Sequence, residues 1–173
     1  MSADIAIRPA ALEDAAGIAR VHVQTWNESF RGMVPDWAID RYTVEKRIGH
    51  WSNWIRRDNY VTFIAEDQSG IIGFVNAFPD ESEPGFDAYL NTLYVLRSAQ
   101  GRGIARKLLR AAAASLIEAG KTSMWWLTLR DNPACGFYER IGATLLREQP
   151  APPELGEETM DIVYGLRDLR VLL

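Results

Sequence analysis

The stretch Gln100-Gly101-Arg102-Gly103-Ile104-Ala105-Arg106-Lys107-Leu108-Leu109 follows an apolar run over 88–96 and opens a segment rich in Ala, Leu and Arg. It predicts a strand that turns into a helix over 103–119, stopped by Gly120. The first N–H groups of a helix have no partner within it, and the helix dipole adds partial positive charge at that end. A phosphate or pyrophosphate satisfies both. Gly101 and Gly103 permit positive φ and a close approach of ligand to backbone, while Arg102, Arg106 and Lys107 add charge around the turn. A tight turn ahead of a basic helix needs the same residues, so a bare Gly-x-Gly leaves both readings open. A P-loop would require Gly-Lys-Ser/Thr, which is absent. A dinucleotide-binding fingerprint would want Gly or Ala where Arg106 stands.

Upstream of the turn, 5–8 reads as a strand closed by Pro9. A helix follows over 12–29, with Ala15, Ile18, Ala19, Val23 and Trp26 at helical spacing. Arg31-Gly32-Met33-Val34-Pro35 breaks it, and a second helix presents Val44, Ile48, Trp51 and Ile55 on one face behind a Thr43 cap. Strands 60–66 and 71–78 are joined by the turn Asp67-Gln68-Ser69-Gly70. Downstream come a strand over 123–129, a short helix over 133–141 before Gly142, a strand over 143–147 and, after a Pro-rich loop, a strand over 159–165. The order β, α, α, β, β, β, α, β, α, β, β mixes hairpins with strand–helix–strand units. It predicts an α/β (mixed α+β) chain with helices packed on a mixed sheet, in a single domain over residues 5–170.

The 173 residues are 47 % hydrophobic and 24 % charged, as in ordinary globular proteins. A net charge of −4 argues against binding duplex nucleic acid. The charge is uneven. Five bases and no acid lie between Arg97 and Arg110, whereas four acids (Asp80, Glu81, Glu83, Asp87) and no base lie between Asp80 and Asp87. One cysteine, Cys135, excludes an internal disulfide, and two histidines, His22 and His50, offer no zinc spacing, so no metal is expected. Met1-Ser2-Ala3-Asp4-Ile5 lacks the pattern of a secretory signal, and no apolar run approaches the roughly 20 residues that span a bilayer. The expected location is cytoplasmic, without membrane or nucleic-acid partners. A homodimer remains compatible with the sequence.

Val95 with the turn 100–109 resembles the core motif of the GCN5-related N-acetyltransferases, Gln or Arg, two residues, Gly, one residue, then Gly or Ala. Phe137-Tyr138-Glu139-Arg140-Ile141-Gly142-Ala143 resembles the second motif of that family, in the right order and at a normal separation. The opening from Val21-His22-Val23-Gln24-Thr25-Trp26 through Phe30-Arg31-Gly32-Met33-Val34-Pro35 is similar to that of one large subgroup. The resemblance implies a GNAT-like domain with a splayed central sheet and helices on both faces. It also implies transfer of an acetyl group from acetyl-CoA to a primary amine of a small molecule or peptide.

Carried over by residue, the resemblance places the backbone of Leu93, Tyr94 and Val95 along the pantetheine, with an N–H near Val95 as the oxyanion donor. It places Gln100, Gly101, Arg102, Gly103, Ile104, Ala105 and Arg106 around the pyrophosphate, Asn132 on the cofactor, and Tyr138 as the acid that protonates the leaving thiolate. Asn132 stands six residues before Tyr138 where the family often has Asn seven before, a position held here by Asp131. Where many members carry a glutamate base, this chain has Tyr89. The acids nearest that strand, Glu81, Glu83 and Asp87, are therefore expected to collect the proton through water, with His22, Glu28 or bulk water as fallbacks. Trp26 and Phe30 are candidates for the acceptor wall, and the acidic segment suggests a cationic acceptor. Cys135 and the histidines read as packing residues. Without a base, a non-catalytic acyl-CoA-binding module is the alternative function.

Overall fold

The computed structural model describes residues 4–173; the stretch Met1 to Ala3, on which part of the signal-peptide reading falls, lies outside it. Strands β1 (Ala6–Pro9), β2 (Val61–Asp67), β3 (Gly70–Pro79), β4 (Ala88–Val95), β5 (Met124–Leu129), β6 (Thr144–Pro150) and β7 (Met160–Leu166) form one sheet in the order β1-β2-β3-β4-β5-β7-β6. Only β4 and β5 run parallel; every other neighbouring pair is antiparallel. The mixed sheet and its sequence of elements match expectation, with one addition: between helices α1 (Ala15–Thr25) and α3 (Val44–Ile55) lies a short α2 (Asp36–Asp40). Five residues without a full apolar turn carry no periodic signal, so α2 was not legible.

Alternation along β2 and β3 divides the core. Ile64 and Phe74 face Ile18, Ala19, Val21 and Trp51 of α1 and α3, while Ala65 and Val75 face Leu108, Leu109 and Ala112 of α4 (Ile104–Glu118). Helices thus cover both faces. Thr43 caps α3 as expected, its hydroxyl accepting from the Lys46 N–H at 3.4 Å. The expected helix over 12–29 is broken into a 3-10 turn (Leu12–Asp14), α1, and a π turn (Trp26–Phe30). The wider π turn carries Trp26, Ser29 and Phe30 onto the central cavity.

Two irregularities in β4 open the middle of the sheet. Its register with β3 shifts so that Asn91 is left over between Leu90↔Ala77 and Thr92↔Asn76, a bulge whose Asn91 amide donates to Asn76 Oδ1 at 2.9 Å. With β5, β4 keeps a single registered pair, Tyr89↔Trp125, after which the two strands diverge. Tyr89 and Trp125 pack across that pair with ring centroids 4.6 Å apart and ring planes tilted by 52°. Helix α5 (Ala134–Arg140) then leads the chain to β6, and β7 returns between β5 and β6.

Candidate active site

Beyond Tyr89 the edge of β4 faces no strand. Leu96 donates its N–H to the Ile72 carbonyl of β3 at 2.9 Å, so by the alternation of an antiparallel ladder Tyr94 also bonds toward β3. Leu93 and Val95 then direct their N–H and C=O groups into the gap. Tyr94 reaches the gap through its side chain instead, which separates it from the backbone role expected for all three residues. The gap is a cavity of about 510 Å³ lined by Leu93, Tyr94, Val95, Gln100, Asn132 and Tyr138 among others.

Gln100 leads from the cavity into the turn. Its amide donates to the Val95 carbonyl at 3.1 Å, tying the end of β4 to the start of the loop. Gly101 and Gly103 have φ of 76° and 73°, and a Cβ built on either meets no atom within 4 Å. Packing does not demand glycine here; the left-handed backbone does, and the space above it stays open to a ligand. No side chain caps α4, whose first turn holds no acid. Arg106 and Lys107 are exposed beside it, Ile104 is buried in the core, and Arg102 lies 3.8 Å from Asp67. An uncapped helix start with open space above it, next to the Gln100 end of the cavity, can hold an anion.

Tyr138 projects from α5 against Trp126 and Tyr164, with ring centroids 4.9 and 5.8 Å away. Burial foremost, with further contributions from Tyr94 and Cys135, holds its phenol well above the usual range, so it stays protonated. Its hydroxyl makes no hydrogen bond to another described residue. Asn132 also lines the cavity, but its Oδ1 accepts the Ala134 N–H at 2.9 Å and its amide donates to Thr128 Oγ1 at 3.3 Å. It caps α5 whatever else it does. Asp131 is exposed, 3.6 Å from Arg130, and away from the cavity.

The acids expected to act as base are elsewhere. Glu83 is held by both terminal nitrogens of Arg147 at 2.7 Å each, Asp87 accepts the N–H groups of Thr122 and Ser123 at 3.0 and 2.9 Å, and Glu81 sits 3.9 Å from Lys121. None lines the cavity. Closeness in sequence to β4 misled because the loop 80–87 folds at the closed end of the splay, against the start of β5. Neither side-chain fallback lines the cavity. Glu28 is engaged by the Arg97 N–H and the Gln24 amide, and His22 Nδ1 accepts from Trp51 within the core. Tyr89 does line the cavity, but burial raises its hydroxyl to about 12, so it offers no base near neutrality. Cys135 directs its sulfur to the Leu129 and Arg130 carbonyls, burial raises its thiol, and it does not line the cavity.

Two carboxylates line the cavity: Glu154, which is exposed, and Asp161 of β7. Asp161 is 4 % exposed, its side chain makes no hydrogen bond or ion pair to another described residue, and burial pushes its pKa up. The sequence carried a signal for it, an acid inside the apolar run Met160-Asp161-Ile162-Val163-Tyr164. Knowing which face it meets required knowing that β7 inserts beside β5. Trp26 and Phe30 wall the cavity as expected. Among the described residues five buried side-chain polar atoms lack a partner, and four of them (Thr25 Oγ1, Arg41 Nε, Thr92 Oγ1, Trp126 Nε1) belong to residues of this cavity. Folded proteins leave few such atoms unpaired, so their concentration here marks a place for a polar ligand.

A sequence profile of the acetyltransferase (GNAT) family matches residues 18–143. The chain is 32 % identical over 165 residues to the uncharacterized N-acetyltransferase YuaI of Bacillus subtilis, covering 94 % of this chain and 88 % of that one. Its fold resembles that of the PaiA N-acetyltransferase of Thermoplasma acidophilum in complex with coenzyme A (TM-score 0.77, 20 % identity, covering 95 % and 99 % of the two chains). It also resembles YncA of Salmonella typhimurium with its cofactor acetyl-CoA (TM-score 0.74, 19 % identity, covering 95 % and 94 %).

Proposed function

The chain belongs to the acetyltransferase (GNAT) family, and from that premise we propose that it transfers an acetyl group from acetyl-CoA to a primary amine held in the central cavity. The observation that carries this reading is the splay after Tyr89↔Trp125. It leaves the peptide groups of Leu93 and the N–H of Val95 without a strand partner, along a cavity that reaches Gln100, just ahead of the uncapped start of α4. An amide-bearing chain ending in a pyrophosphate has complementary needs: backbone partners along its length and N–H donors at its end. The YncA and PaiA structures, which hold acetyl-CoA and coenzyme A, support the same donor here.

Bound there, acetyl-CoA would supply the thioester carbonyl. The amine nitrogen forms a bond to the carbonyl carbon, the carbon–sulfur bond breaks, and the thiolate takes a proton. Tyr138, protonated at any working pH, is the donor for that proton. Asp161 is the acceptor for the ammonium proton, directly or through water, and its raised pKa suits the task. The N–H of Val95 is placed to stabilise the negative charge that develops on the carbonyl oxygen. The alternative, a non-catalytic acyl-CoA binder, has less support now that a cavity carboxylate is identified.

The deciding experiment incubates the full chain with acetyl-CoA and a panel of primary amines and measures thiol release. Amine-dependent release, with the acetylated product seen by mass spectrometry, is the expected result. Saturable acetyl-CoA binding without release for any amine would leave the binding-module reading in its place.

A further inference from the structure

We infer that the amine acceptor also carries an anionic group, as a small amino acid does, and that Arg41 at the end of α2 receives it; this rests on the reading of the cavity as an acceptor site. Arg41 lines the cavity, its Nε is buried without a partner, and its Nη2 donates to the Tyr42 hydroxyl at 3.0 Å. The guanidinium lies 5.0 Å from the Tyr42 ring centre and 5.9 Å from that of Trp37. Ring faces stabilise the charge but do not satisfy a guanidinium's five N–H donors. Arg47 of α3 approaches the same Tyr42 ring to 3.9 Å. Neither arginine takes part in any ion pair among the described residues. Two guanidiniums therefore share one tyrosine and have no counter-ion, with one of them on the cavity wall.

The carboxylates of the cavity, Asp161 and Glu154, come from β7 and the loop before it, and neither pairs with Arg41. One cavity thus offers acceptors for an amine and donors for an anion. A polyamine would meet Arg41 with repulsion, and a plain alkylamine would leave it unpaired. An amino acid fills both needs, its carboxylate matching the planar fork of the guanidinium with two charge-assisted hydrogen bonds. The cationic acceptor suggested by the acidic segment 80–87 loses its ground, since none of those acids reaches the cavity.

The test compares each of a set of amino acids with its own amide and with the amine lacking the carboxyl group, using thiol release with acetyl-CoA. The α-amine of an amide or peptide has a pKa of about 7.7–8.0, so ionisation alone favours the amide. The expected result is the opposite: at least one amino acid exceeds its amide by about 10–100-fold in kcat/KM, the range for a lost charge-assisted bond. Arg41→Gln should collapse that ratio, and Arg41→Lys should keep part of it. The same amino acid should raise the Tm of the wild-type protein and not that of Arg41→Gln. Amides or plain amines that react as well as the acids, or a ratio unchanged in Arg41→Gln, would overturn the inference while leaving the transferase reading intact. The absence of thiol release with every amine, amide and amino acid would remove both.

Discussion

Asp161 and Tyr138 are the two side chains on which the proposed chemistry turns, and burial raises the pKa of each with opposite use. For Asp161 it strengthens a base; for Tyr138 it secures an acid. An alkylamine with a pKa near 10.4 is almost wholly protonated at neutral pH and must lose a proton before it attacks. Asp161→Asn is therefore expected to lower kcat/KM by about 10²-fold for such amines and by much less for acceptors of low amine pKa, which arrive neutral. Equal losses across acceptors of different pKa would assign Asp161 a structural part. Glu83→Gln gives the contrast: it should lower the Tm, because it loosens the loop from Arg147, and leave the pH–rate profile as it was. For Tyr138→Phe the expectation is unchanged acetyl-CoA affinity with kcat reduced by about 10²-fold. A kcat equal to wild type under chemistry-limited conditions would leave Tyr138 as packing between Trp126 and Tyr164.

At the scale of elements, the strand–turn–helix unit of β4 and α4 does two jobs with few side chains. The splay exposes peptide groups along β4, and the missing cap exposes those at the start of α4. Gly103 lies at the junction with φ of 73°. Any L-residue there costs about 1–2 kcal/mol of backbone strain, but a Cβ meets no protein atom within 4 Å, so the fold should survive. Gly103→Glu is thus expected to remain folded by circular dichroism, with a modestly lower Tm, while acetyl-CoA affinity falls more than 10-fold, because a carboxylate then occupies an anion site. Titration calorimetry reads this directly, and wild-type affinity in the folded variant would move the cradle elsewhere. The π turn Trp26–Phe30 is the second element with a clear purpose. It turns three residues of an otherwise regular helix into cavity wall, a departure that the apolar spacing of the sequence does not announce.

For the molecule as a whole, stability should depend on pH through His22. It is 4 % exposed among Trp26, Tyr42, Trp51, Phe74 and Tyr94, and its Nδ1 accepts from Trp51 at 3.2 Å. Burial first, then the charges of Arg47 and His50, hold its pKa well below 6.5. The unfolded chain therefore binds a proton that the folded one refuses, and stability present above pH 6.5 is lost as the pH falls below it, at about 1.4 kcal/mol per unit for one such group. Urea denaturation between pH 7.5 and 5 should show this slope, and His22→Gln should reduce it to the part left by His50, whose pKa burial also lowers. An equal slope in that variant would refer the effect to other groups. The sequence by itself determined the order of the elements, the helix caps at Thr43 and Gly120, the glycine turn and the family, because local spacing and short motifs carry each of these. It placed Tyr138, Trp26 and Phe30 among the candidates for the same reason. Which carboxylate meets the cavity, and that Arg41 faces it without a counter-ion, only the tertiary structure decided. Asp161 comes onto the cavity that Tyr138 and β4 also line through the insertion of β7 between β5 and β6, and Arg41 through a five-residue helix. Both depend on contacts between segments far apart in the chain, and distance along the chain, which made Glu81, Glu83 and Asp87 look near, does not measure distance in a splayed sheet.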